Sequence, residues 1–447
     1  MMDLNLSGKQ PTFRRSANQK KPYGIYFLLA LLIPALFLLR AVLREDIRSP
    51  FLPTPVPTRT ANSYALEGDT HFMAGNLNEA IRAYQQATVA DPNNASLYVE
   101  LARIQTYSSA TLTTDQQKRI RMEEALASAA RAIELSPEES LPHAVRSFTL
   151  NWYANPALVG DQRDKYLTEA EQEAVRALQI DPQNGLVLAY YAEIMVDQYN
   201  LLRADQFIRQ ALERSPELMD VHRVHALVLE SMGNYGEAIR AYERAIAIQP
   251  NLTFLYLSLG VNYRHLKRYD EALENFAQAV AINNRLGIKD PLPYVAIGKT
   301  YSQIGEFFAA SRNVLRALRV DPLNQDTYGV LGVVYFKSRN YEGAILALKC
   351  AVRGCSAEES CEVRQCDPQN DPLVEIEALP LSSSTVLYYY TYGSVLAGMH
   401  RPHDDYCIQA LGVLSEVRSG FATDADIISI VQASESICAA TPASQSP

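Results

Sequence analysis

From Ala61 onward the succession of apolar, small and polar positions repeats itself along the chain. The stretches GNLNEAIRAYQQATVADP at 75–92, GNYGEAIRAYERAIAIQP at 233–250 and KRYDEALENFAQAVAINN at 267–284 place alanines, aromatics and branched aliphatics at matching offsets. Each reads as the second half of a helical hairpin. A single hairpin cannot bury its apolar face, so stacked neighbours must share a continuous core. Alanine and glycine let the backbones approach, and tyrosine and phenylalanine fill the gaps between hairpins.

The pattern resembles the tetratricopeptide repeat (TPR) family, a helix-turn-helix of about 34 residues. Residues 253–286 carry it most fully, with Leu259, Gly260, Tyr263, Tyr269, Ala272, Phe276 and Ala279, although Asn284 replaces the terminal proline. Segments 61–94, 185–218, 219–252, 291–324 and 325–358 keep much of the same set. Two units, ending at Pro137 and Pro182, are longer by the segments SSATLTTDQQK and NPALVGDQRDK. Those segments are either loops projecting from one face, which often serve binding, or lengthened helices. The resemblance implies an all-α TPR solenoid, a right-handed superhelix of about eight units over 61–358. A Cys-rich insert over 359–380 and a degenerate unit with a capping helix and tail over 381–447 follow.

A second hydrophobic pattern lies near the start. Pro22 to Leu39 is uncharged, and at about 1.5 Å per residue it gives roughly 27 Å of helix. It reads as an uncleaved transmembrane anchor over 22–43, because the basic segment before it is long and no A-x-A-like cleavage site follows. Lys9, Arg14, Arg15, Lys20 and Lys21 outnumber Arg40, Arg44 and Arg48, so the positive-inside rule assigns 1–21 to the cytoplasm and the array to the far side. The lipid bilayer is the partner this segment implies. The four prolines of 50–57 make 44–60 a stiff linker.

Charge changes the picture next. Residues 1–48 carry a net +5 within a chain of −9, leaving −14 for the rest. An acidic body excludes sequence-independent nucleic-acid binding, which needs lysine and arginine facing the phosphates. No phosphate-cradling, dinucleotide, zinc-protease or nucleophile-elbow motif occurs, so the expectation is a non-enzyme without a cofactor. His400, His403 and Asp404 could offer themselves to a metal but suit a polar turn. Asn94 and Asn251 lie in N-x-[ST] contexts and also suit the turns between repeats.

All six cysteines lie in the last hundred residues: Cys350, Cys355, Cys361, Cys366, Cys407 and Cys438. Their spacing lacks the C-x-x-C pairs of a zinc or thioredoxin-like site. Three disulfides are expected, since all six follow the apolar segment on the side assigned to the exterior. Fifteen connectivities are open; the expectation is that Cys407 pairs with Cys438 and the other four close the insert.

The family resemblance implies a ligand groove lined by the first helices. Its groove-facing places fall on Asp69, Phe72, Arg103, Tyr107 and Trp152 in the early units and on Arg223, Arg264, His265, Lys299, Phe336 and Lys337 in the later ones. The later set is basic within an acidic body, which suits an acidic segment or a terminal carboxylate. The functional expectation is an adaptor assembling protein complexes on the extracytoplasmic side of a membrane. The alternative is a non-catalytic regulatory or substrate-holding subunit of an envelope enzyme or of a secretion or assembly complex.

Overall fold

The computed structural model describes residues 23–43, 59–401 and 403–440, and the chain divides into two units, 1–58 and 59–447. In the first unit Tyr23–Leu43 forms helix α1, with exposed apolar side chains. The anchor expected over 22–43 is overturned, because among the described residues no helix is long and apolar enough to cross a membrane. Arg40 closes the uncharged run of α1 and Pro34 interrupts its hydrogen-bond ladder. From Tyr23 to Leu39 that run spans only about 25 Å, against a hydrocarbon core of about 30 Å. The single-pass localisation, with a cytoplasmic tail and an extracytoplasmic array, falls with it. The expected tail 1–21 and most of the proline-rich linker lie outside the described residues.

The second unit is all-α. Successive hairpins are α2 (Ala61–Met73) with α3 (Leu77–Ala90), α4 (Ala95–Ser109) with α5 (Asp115–Leu135), and α6 (Ser140–Tyr153) with α8 (Arg163–Ile180), the short α7 (Pro156–Val159) intervening. There follow α9 (Gly185–Asp197) with α10 (Leu201–Arg214), α11 (Met219–Ser231) with α12 (Tyr235–Ile248), and α13 (Thr253–His265) with α14 (Tyr269–Leu286). Then come α15 (Leu292–Gln303) with α16 (Phe307–Val320) and α17 (Gln325–Lys337) with α18 (Tyr341–Arg353). After the short α19 (Ala357–Arg364), a last hairpin α20 (Val386–Met399) and α21 (Tyr406–Gly420) is covered by α22 (Ala425–Ala440).

Local chemistry explains the repetition. Gly260 lies so close to the Phe276 ring that an added Cβ would sit 2.4 Å from it, and Gly298 meets Val314 in the same way. Most first helices end in a left-handed residue, Gly75, Tyr199, Gly233, Lys267, Gly305 or Arg339. The next amide then bonds back to close the turn, as Asn76 does to the His71 carbonyl at 2.9 Å. Asn94, Asn184 and Asn324 cap the helices that follow them.

The two long units resolve as lengthened second helices rather than free loops. Thr114 caps α5, whose first turns pack on α7: the Arg119 Nε donates to the Leu158 carbonyl at 3.0 Å. Met122, Tyr153 and Leu158 form a small core of their own. Thus Leu158 of the second extra segment packs against the lengthened α5.

The Cys-rich insert is ordered by three kinds of contact. Cys350–Cys355 and Cys361–Cys366 are disulfides, Cys355 and Ile376 exchange two backbone hydrogen bonds, and buried Arg364 donates to the Pro372 carbonyl at 2.8 Å. Cys407–Cys438 joins α21 to α22.

Candidate functional site: a filled early groove and an open late one

The first helices of the early hairpins converge on one interior. From α4 come Arg103 and Tyr107, from α6 Phe148 and Trp152, from α9 Tyr190 and Glu193, from α11 Asp220 and Arg223, and from α13 Phe254. The rings form a stack, Tyr190 on Phe148 at 4.4 Å and Phe254 on Tyr107 at 5.3 Å, with Trp152 edge-on to Tyr107 at 5.7 Å. Phe72 of α2 closes one side, beneath the Arg103 guanidinium at 5.0 Å.

Charges are threaded through this stack in matched pairs. Arg223 grips Glu193 with two hydrogen bonds of 2.8 and 2.6 Å, and its guanidinium lies over Tyr107, Phe148 and Trp152. The Trp152 indole donates to the same carboxylate at 2.9 Å. Asp220 accepts from Arg103 at 3.0 Å, from the Tyr190 hydroxyl at 2.7 Å and from the Tyr107 hydroxyl. Burial alone would raise the Asp220 carboxyl, but Arg103, Arg223 and the two hydroxyls hold it below its ordinary value. Burial drives the Tyr107 and Tyr190 hydroxyls well upward, so both stay protonated donors.

This arrangement is a plug of the chain's own side chains, not a vacant groove. Arg223, assigned to the ligand groove by pattern, is 5% exposed and fully engaged by this chain's own residues. Asp69 remains at the surface and accepts from the Tyr84 hydroxyl at 2.5 Å. The pattern placed Arg103, Tyr107, Trp152 and Arg223 on groove-facing positions; it did not find their partner Glu193. Charges of opposite sign at equivalent places of neighbouring first helices were the available signal.

The remaining late residues have a different setting. Arg264 is half-buried and has no ion pair among the described residues, so loss of solvent lowers its guanidinium pKa. His265 is exposed and stacks on Tyr235 at 4.6 Å. Lys299 on α15 and Lys337 on α17 are exposed, and Phe336 lies 6.2 Å from Tyr341. Their helices α13, α15 and α17 pack in succession, which sets these cations along neighbouring elements without joining them to Arg223.

The metal and glycosylation candidates have structural partners. His400 hydrogen-bonds Asp404 at 2.5 Å in the turn before α21. Asn94 caps α4, and the Asn251 amide donates to the Met73 carbonyl at 2.9 Å.

A superhelix of helical hairpins defines the class, and comparison with known proteins agrees. A TPR repeat model matches residues 68–105, and a tetratricopeptide repeat model matches 223–287 and 295–358. BBSome complex member BBS4 of Bos taurus is 24% identical over 185 residues, covering 40% of this chain and 35% of that protein. Human protein O-mannosyl-transferase TMTC3 is 22% identical over 293 residues, covering 59% and 32%. The chain therefore spans about a third of the length of these relatives. Among solved structures, a human IFIT1 dimer with PPP-AAAA shares the fold, with a TM-score of 0.52, 15% identity, and coverage of 86% of this chain and 92% of that one. TPR proteins in general mediate protein–protein interaction and complex assembly.

Proposed function

We propose that this chain is a non-catalytic scaffold that captures an acidic protein segment along the late part of its array, on Arg264, Lys299 and Lys337 with His265 and Phe336 beside them. The observation that carries the reading is Arg264: a half-buried guanidinium with no ion pair among the described residues, its charge disfavoured by its surroundings. Such a group gains from an incoming carboxylate, through a charge-assisted hydrogen bond. Lys299 and Lys337 on the adjacent first helices also lack ion pairs among the described residues and would extend the attraction. The early groove offers no rival surface, because its own side chains fill it. Relatives named as members of complexes support the scaffold reading at the level of the repeat.

The test is the triple variant Arg264→Glu, Lys299→Glu, Lys337→Glu against an acidic peptide presented at rising salt. Wild-type binding should weaken as salt shortens the screening length, and the variant should bind more weakly than wild type with its helicity unchanged. Binding by the variant equal to wild type would sink the proposal.

A further inference from the structure

On the second helices, many arginines and lysines meet a carboxylate. Arg82 pairs with Glu79 on α3, Arg121 with Glu124 on α5, Lys165 with Glu169 on α8, Arg209 with Asp205 on α10 and Arg240 with Glu237 on α12. On α18, Lys349 and Arg353 reach Glu359 and Glu416. Others, such as Arg214, Arg244 and Arg285, do not among the described residues, and helix α16 concentrates such unpaired charge. Its sequence, FFAASRNVLRALRV, holds three arginines and no acid, and none of Arg312, Arg316 and Arg319 enters an ion pair among the described residues. Glu306 and Asp321 flank the helix at its two ends without pairing to them.

The spacing puts the unpaired charge on one stripe. Phe308, Arg312 and Arg319 follow one another at helical intervals, and Phe308 is 80% exposed, unusual for a phenylalanine inside a repeat array. Beside the stripe runs a groove of about 460 Å³, with Phe307, Phe308, Arg312 and Arg319 on one wall. Tyr335 of α17, with Ser338 and Asn340 from the turn between α17 and α18, forms the other wall. Gln365 of the insert also lines it, and the Cys361–Cys366 disulfide brackets that residue. Apolar surface, two cations without counter-charges and neutral polar groups thus converge on one recess.

We infer that this recess on the second-helix side of α16 is a docking groove for an extended acidic segment of a partner protein, with an aromatic or aliphatic side chain of that segment set against Phe308. Charge complementarity selects the occupant: uncompensated arginines with planar, multidentate donors favour carboxylates, and the body that carries them is otherwise acidic. The recess favours a chain over a bilayer, since a membrane plane would meet Phe308 but not the neutral wall behind it. None of Arg264, Lys299 and Lys337 lines this recess, although Lys337 immediately precedes Ser338 of its wall.

The experiment uses the full chain and a short fluorescein-labelled peptide of glutamates interspersed with phenylalanine, followed by anisotropy. Arg312→Glu with Arg319→Glu should weaken binding about tenfold or more. Phe308→Ser should weaken it less, and Arg264→Glu with Lys299→Glu, which lie outside the recess lining, should leave this component unchanged. Phe308, Arg312 and Arg319 are exposed, so helicity and melting serve as the folding control. The inference is overturned if wild type does not bind the probe, if the double reversal on α16 binds as wild type does, or if only the late-groove variant loses binding. It is equally overturned if the double reversal leaves peptide binding intact while abolishing attachment to vesicles of anionic phospholipid, which would make the stripe a membrane surface.

Discussion

Asp290 shows how one residue acquires an unusual property from a small break in the repeat. Five residues, 287–291, separate α14 from α15, and they begin with left-handed Gly287. Asp290 is carried inward to 3% exposure, where burial raises its carboxyl to about 6 although the Leu292 amide and the Asn283 side chain both donate to it. Its folded pKa lies above its unfolded one, so the penalty is absent below about pH 3.9, grows as the pH rises toward 6, and is constant beyond. At neutral pH it costs on the order of 3 kcal/mol. Asp290→Asn would remove the charge, keep the acceptor for Leu292 and let Asn283 turn its amide so that its unpartnered Oδ1 accepts a bond. The variant should therefore melt higher than wild type at pH 7.5, with the difference shrinking to nothing near pH 4. Parallel melting temperatures across that range would contradict this account. Asn284, standing where the repeat pattern has proline, marks the place in the sequence. The depth of the following acid was not legible, because burial depends on how the next hairpin settles over the loop.

Among the elements, the hairpins themselves were the legible part. Gly260 against Phe276 and the alanines of the second helices are dictated by how closely two helices must pass, which leaves the same residue types at every repeat. The two long units were not decidable from sequence, since DQQKR has good helix formers behind a capping threonine and equally polar loop composition. The contact between α5 and α7 decides it, and that contact lies between different repeats. At the far end, α22 covers the last hairpin with Val431 and Ser434 buried and much of its outer face in solvent. Cys407–Cys438 closes a separation of 31 residues across that weak interface. In the chain-entropy model such a link contributes roughly 3–4 kcal/mol. Replacing both cysteines by serine should free α22 first: hydrogen exchange should accelerate across Ala425–Ala440 while α11 to α14 keep their protection. Unchanged exchange in α22 would show that apolar burial alone holds it.

At the scale of the whole array, 59–447, the decisive feature is closure. The turn after α2 comes to rest on the turn between α12 and α13: a Cβ at Gly75 would sit 2.2 Å from the Asn251 carbonyl oxygen, and Gln249 and Asn251 both reach Met73. Farther along, the Asn324 side chain reaches the Thr113 carbonyl at 3.5 Å. One superhelical turn therefore seals on itself, and the interior it encloses must be filled. Groove-facing residues were readable one hairpin at a time, but the closing of the turn comes from a small twist accumulated at every interface, which no single repeat encodes. This is why residues legible as ligand-facing became a core. The Arg223–Glu193 pair tests that conclusion, since a buried ion pair is sensitive to loss of one partner and tolerant of losing both. Arg223→Met leaves Glu193 buried without its cation and takes one positive charge from the surroundings of Asp220. It should cost about 3–5 kcal/mol in urea unfolding. Small-angle scattering should show the array expanding as the turn springs open. Adding Glu193→Gln should recover most of both losses, because the aromatic stack remains and Trp152 keeps an acceptor. A plug that only decorates an otherwise rigid superhelix predicts the opposite: unchanged scattering in the single variant, and no recovery from the second substitution.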